Sequence, residues 1–243
     1  MRSLSLYNLV LFFALSTMAQ ADTPTFGEKL ARAAQDRTRH NVRYDGRYLS
    51  IAYPGGDVPA DQGVCTDVVI RSYRSLGVDL QQLVHEDMIA NFSAYPKIWD
   101  LSRPDSNIDH RRVPNLNTFF TRQGANVMQN GKAVDFQVGD VLTWILPHNL
   151  PHTGIVVAPA TDQHPVQIVH NIGLGPQQRT CRPTGHLQGS FVLDPNSQRR
   201  HSGSGGYWPR RWPKPMPMRT RGFPCAFGSP VRYIVPDGAG APL

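Results

Sequence analysis

The chain has 243 residues, of which 40% are hydrophobic and 18% charged, and its formal net charge is +7. This is enough apolar material for one ordinary domain with extensions, and too little continuous apolar sequence for a multi-span membrane protein. The charge is uneven: residues 179–243 carry ten Lys or Arg against two Asp, whereas residues 22–178 carry fourteen basic against sixteen acidic residues. Attraction to an anionic polymer is therefore an argument about the tail alone, and no specific nucleic-acid partner is expected.

The chain opens with Met1-Arg2, a mostly apolar run from Leu4 to Leu15, and Ala19-Gln20-Ala21 before Asp22. That is the pattern of a secretory signal peptide over residues 1–21, with cleavage after Ala21. The mature protein is expected to be periplasmic or secreted, without a transmembrane segment, and monomeric. Residues 24–40 predict an amphipathic helix, and Arg47 to Tyr53 a short extended stretch. Pro54, Gly55, Gly56, Pro59 and Gly63 hold the next segment as a loop. A helix follows, with Val64, Val68, Tyr73 and Leu76 at near-helical spacing and Gly77 ending it.

Cys65 falls in the first turn of that helix, where free backbone N–H groups and the helix dipole favour a thiolate nucleophile. The bland alternative is a buried Cys filling an apolar slot. The chain has three cysteines. In an oxidising compartment an odd count leaves one thiol free, and Cys181 and Cys225 can bridge each other in the tail, which leaves Cys65.

Leu80 to Phe92 predicts another helix, ended by Tyr95-Pro96. The polar segment 107–116 reads as a charged loop before a short helix through Phe119 and Phe120. Asp109, His110, Arg111 and Arg112 are placed either to line a cleft and grip a substrate carboxylate or to form a solvated local Asp–Arg pair. From residue 134 the pattern turns to strands. Val134 to Asp140 leads through a Gly-Asp turn into Val141–Leu146, then come His152–Val157 and Val166–Asn171. Three strands joined by short loops predict an antiparallel meander packed by the earlier helices, an α+β fold.

A thiol nucleophile needs a base, and the base needs a third group to orient it. His152 opens one strand and His170 lies near the end of its neighbour, so the two meet at one sheet edge. Asn171 competes with His170 for the third role because alternation turns it to the opposite face. A zinc site from Cys65, His152 and His170 is a further alternative by ligand type.

These pieces resemble the NlpC-type cell-wall cysteine peptidases: Tyr53-x-Gly55-Gly56, Gly63-x-Cys65-Thr66-Asp67-Val68-Val69, Val138-Gly139-Asp140-Val141, His152-Thr153-Gly154-Ile155-Val156-Val157 and Val169-His170-Asn171. The fuller string over about residues 26–178 is most similar to family 1287 among domains of unknown function. The resemblance implies a papain-like core with the Cys helix packed on a small antiparallel sheet. It implies Cys65 as nucleophile, His152 as base and His170 as orienting residue, with Tyr53 near the nucleophile at the oxyanion site. Asp67, Asp109, His110, Arg112 and Asn171 are expected around the substrate. Where NlpC-type sequences carry Asp-Cys-Ser-Gly, this chain has Val64-Cys65-Thr66-Asp67, a departure that bears on the substrate pocket and leaves the exact peptidase specificity open.

The implied activity is hydrolysis of amide bonds in peptidoglycan stem peptides, with no cofactor and no metal. The alternative is a non-catalytic wall-binding module of the same fold. The hydrolase-like domain is expected over residues 22–178, or to near 191 if Thr184-Gly185-His186 closes its last strand. Residues 179–243, with ten of the 21 prolines, are expected to be a disordered basic tail or the product of a slipped reading frame.

Overall fold

The computed structural model describes residues 22–125, 136–181, 183–191, 193–194 and 223–225; the expected signal peptide lies outside them. The fold is α+β: among the described residues four α-helices fill the first half and an antiparallel sheet the second. Helix α1 (Phe26–Arg37) starts at a capping box in which Thr25 and Glu28 satisfy each other's backbone N–H. Strands β1 (Arg43–Tyr44) and β2 (Gln62–Gly63) form a two-residue parallel pair. Helix α2 (Cys65–Arg74) follows at once, and Gly77 takes φ +78° just past its end, a conformation only glycine adopts cheaply. Helix α3 (Leu80–Asn91) is capped by Asp79, and α4 (Val113–Arg122) follows a 3-10 turn at Asp109–Arg111.

Among the described residues the sheet has six strands in the order β6-β5-β4-β3-β7-β8. The expected meander forms its middle: β3 (Val141–Leu146), β4 (Leu150–Ala158) and β5 (Gln167–Asn171). Two strands that alternation did not announce extend it, β6 (Pro176–Thr180) beside β5 and β7 (Pro183–Phe191) beside β3, with β8 (Phe223–Cys225) pairing to β7. The sheet thus runs past residue 178, and Phe191 and Leu193 are buried in the main core. Residues 179–181, 183–191 and 193–194 are thus part of the folded unit, in keeping with the alternative in which the domain runs to near 191. Residues 195–222 and 226–243 lie outside the described residues. Cys181 is disulfide-bonded, and the side chain of Cys225 lies outside the described residues.

Both faces of the sheet are covered, which explains why its strands are rich in β-branched and aromatic residues. One face, through Val141, Ile155, Val169 and Phe191, packs on Leu30, Val69, Tyr73, Leu116 and Phe120 of the helices. The other carries Leu142, Trp144, Val156 and Ile168 against Phe136, Val166 and Cys181. The Gly-Asp turn is where α1 meets the sheet. Gly139 has φ +93°, and a Cβ there would lie 2.3 Å from the Cα of Gly27. Asp140 holds the turn by accepting the Gln137 N–H and the Ser190 hydroxyl.

Candidate active site

Helix α2 is buried along nearly its whole length, so its polar residues need internal partners. Arg71 reaches Asp57 and the carbonyls of Val58 and Pro59, which folds the Gly/Pro loop against the helix. Asp67 bends back to accept the Val64 N–H at 2.6 Å, capping a helix whose N-cap residue has no polar side chain. Its carboxylate is also forked by Arg111, with Nε to Oδ1 at 3.0 Å and Nη2 to Oδ2 at 2.9 Å. Both side chains are almost fully enclosed. The Thr66 hydroxyl completes the clasp by donating to the Arg111 carbonyl.

Cys65 is the first residue of α2, 5% exposed, and its thiol is free. Backbone N–H groups of Thr153, Thr66 and Cys65 itself favour the thiolate, but burial is the larger effect and pushes the thiol up to about 12. A helix start alone predicts a lowered value; in this enclosed site desolvation wins, with the Asp67 charge adding to it. The resting sulfur is therefore a neutral thiol. Alkylation by iodoacetamide at pH 7 is expected at least about tenfold slower than for an ordinary thiol, and should still be rising at pH 10. Peptide mass spectrometry would follow it; a plateau below pH 8 would mean that a thiolate is present at rest.

His152 and His170 meet as the strand ends predict: His152 Nε2 lies 2.9 Å from His170 Nδ1. Trp144, directly across from His152 on β3, sets its ring edge-on to His152, 4.8 Å between centroids, and Gly154 leaves the room that lets His170 and Trp144 approach. Burial lowers His152 well below the ordinary histidine value, helped by His170, and burial with the Arg179 charge takes His170 to about 4. Both imidazoles are neutral at pH 7.

Alternation puts His152 and His170 on the face of Val156 and Ile168, and Thr153 and Asn171 on the face toward α2. The sulfur accordingly meets β4 at Thr153, one residue from His152, and among the described residues no hydrogen bond joins Cys65 to His152 directly. Asn171, not His170, shares the side of Cys65, where its Nδ2 donates to the Gly63 carbonyl at 3.2 Å. It braces the turn before Cys65, while His170 partners His152. Among the described residues no three His, Cys, Asp or Glu side chains are grouped to hold a metal ion.

Four expected substrate residues lie elsewhere. Asp67 is enclosed by Arg111 and cannot meet a ligand. Asp109, His110 and Arg112 are buried, neither lining a cleft nor forming a solvated pair. Asp109 accepts the Asp105 N–H and the Arg112 guanidinium, and Arg112 sits 4.1 Å over the Trp99 ring. His110 is a neutral core imidazole, lowered to about 3 by burial and by Arg111. Tyr53 is 42% exposed and packs edge-on against His85 of α3. The tyrosine whose phenol senses the thiol is Tyr44: burial first, then the charges of Cys65 and Asp67, raise it. The pairing of β1 with β2 puts it opposite Gly63, and a two-residue strand has no periodicity from which to be read.

The sequence profile of a family described as "Domain of unknown function (DUF1287)" matches residues 31–191. The chain is similar to the uncharacterized protein YijF of Escherichia coli (strain K12), 49% identical over 164 residues, which are 65% of this chain and 80% of that protein. No solved structure matches the chain.

Proposed function

The chain belongs to the DUF1287 family, and on that premise we propose that it is an exported, papain-like thiol hydrolase acting on amide bonds of peptidoglycan stem peptides. What supports the reading is three features tied to neighbouring residues of β4, the thiol at Thr153 and the histidine pair at His152. A free Cys opens a buried helix, backbone N–H groups face its sulfur, and the adjacent His152 is hydrogen-bonded to a second histidine.

In the tautomer in which His152 Nε2–H donates to His170 Nδ1, His152 Nδ1 is left as the base. As the sulfur attacks the carbonyl carbon, His152 takes the thiol proton and then delivers it to the leaving amine when the C–N bond breaks. Water resolves the thioester with the same residue as base. A neutral resting pair suits this sequence, since the proton moves during attack and no ion pair is needed beforehand. The N–H groups at the start of α2, with Tyr44 in place of Tyr53, are available to the oxyanion. Unbound sites commonly hold such groups short of their working contact.

Digestion of purified peptidoglycan by mature protein beside Cys65→Ala and His152→Ala, read by mass spectrometry, tests the proposal. Wild type is expected to release cut peptides and both variants to lose at least about 10³-fold of the rate. Intact wall after treatment with folded, reduced wild type would favour the second reading, a non-catalytic wall-binding module. The observation on that side is how closed the site is, with Cys65 5% and His152 2% exposed.

A further inference from the structure

A cavity of about 580 Å³ opens among Tyr48, His85, Arg103, Asp105 and Asn107, apart from the thiol and the histidine pair. Its size falls in the range of small-molecule sites, ~300–1,000 Å³. Its polar groups are already set. Tyr48 Oη donates to Asp105 Oδ2 at 3.1 Å and accepts from Asn107 Nδ2 at 2.9 Å. Asn107 Oδ1 in turn accepts the Ile51 N–H. His85 Nδ1 is closed to water and has no hydrogen-bond partner among the described residues. Tyr53, edge-on at 4.9 Å, holds that ring in place.

The lining also selects a class of ligand. The Tyr48 ring is 57% exposed and offers a flat apolar face, beside Leu101 and Pro104. Arg103 and Asp105 carry opposite charges, so the cavity has no formal charge to prefer an ion. A ring with one apolar face and a rim of hydroxyl or acetamido groups matches both features. The segment 43–51 runs from Tyr44, paired opposite Gly63 two residues before Cys65, to Tyr48 in the cavity. Arg111 ties it to Asp67 by donating to the carbonyls of Asp45 and Arg47.

We propose that this cavity is a glycan subsite that holds one neutral pyranose unit of the polymer whose peptide branch reaches Cys65. The identity of the polymer rests on the hydrolase reading; the binding of sugar does not. The test is calorimetric titration of tetra-N-acetylchitotetraose into the mature protein and into its Cys65→Ala, Tyr48→Phe and Tyr48→Ala variants, each checked for folding by its thermal melt. Wild type and Cys65→Ala are expected to bind alike. Tyr48→Ala should bind at least about tenfold more weakly, and Tyr48→Phe should fall between, because it keeps the ring and loses the hydroxyl. No sugar binding by wild type, or equal binding by Tyr48→Ala, overturns the proposal. Sugar binding by a protein that leaves the wall uncut would keep the subsite and sink the hydrolase, so the two failures are separable.

Discussion

Replacing Arg111 by alanine is expected to destabilise the protein by roughly 3–5 kcal/mol, the cost of leaving one partner of a buried ion pair alone. The guanidinium forks the Asp67 carboxylate, and both side chains are at most 3% exposed. Without it, Asp67 must either stay charged in the interior or take up a proton and weaken its hold on the Val64 N–H. The Asp45 and Arg47 carbonyls lose donors at the same time. Such a loss is a large share of the ~5–15 kcal/mol that holds a domain together. Arg111→Lys should be intermediate, since an ammonium is a point charge without the planar fork. Urea unfolding of Asp67→Ala, Arg111→Ala and the double variant forms a cycle that isolates the pair. The double loss should be well below the sum of the singles, because neither charge is then stranded. Additive losses, or a single loss below about 1 kcal/mol, would show that the pair is not enclosed.

Acidification is expected to unfold the protein between pH 7 and pH 5. His110 is lowered to about 3 and His170 to about 4 in the folded state, both chiefly by burial, and His152 is lowered in the same sense. Between those values and the ordinary histidine value near 6.5 the unfolded chain binds the extra protons. Stability is thus fully present above about pH 6.5 and is lost as pH falls toward the folded values. At pH 5 each of His110 and His170 removes about 2 kcal/mol. Asp109 works the other way: burial raises it to about 6, so it takes up its proton in the folded state first and returns about 1 kcal/mol over the same interval. The net loss is roughly 3 kcal/mol before His152 is added. Thermal melts from pH 7.5 to 5 read it directly, and His110→Leu, of similar bulk and uncharged, should flatten the slope. A melting temperature independent of pH would mean that the imidazoles are not buried neutral.

The fold was legible where period and punctuation agree. Phe26–Arg37, Cys65–Arg74 and Leu80–Asn91 carry helical spacing with clear stops, and Val141–Leu146 and Gln167–Asn171 are β-branched runs between turn residues. Strand β6 was missed, and β7 entered only as the alternative last strand through Thr184-Gly185-His186, because edge and late strands built from Gln, Arg, Gly and Pro have little alternation, and their pairing is decided by the free edges of β5 and β3.

At the site, the His152–His170 contact could be anticipated because antiparallel strand ends meet whatever the side chains. The roles of Asp67, Asp109 and Arg112 could not. Charged residues near a nucleophile look alike in a sequence whether they face a ligand or one another, and only burial decides. The same blindness reversed the expected acidity of Cys65. The helix start favours the thiolate, but how deeply a helix start is covered is set by elements far along the chain. Tyr44 was passed over for Tyr53 because a two-residue parallel pair leaves no pattern.

The strand order has a consequence for how the protein is made. Strand β3 lies inside the sheet, yet its neighbour β7 begins only at Pro183, and β8, the cover for β7, comes more than thirty residues later still. Until those segments emerge, β3 presents a row of unsatisfied N–H and C=O groups on a strand whose side chains are nearly all buried in the finished protein. During synthesis the incomplete chain therefore carries a sticky margin that invites pairing with other chains, and long-range closure of this kind is slow. The last third of the sequence, least protein-like in composition, supplies the edge guard for the hydrophobic middle.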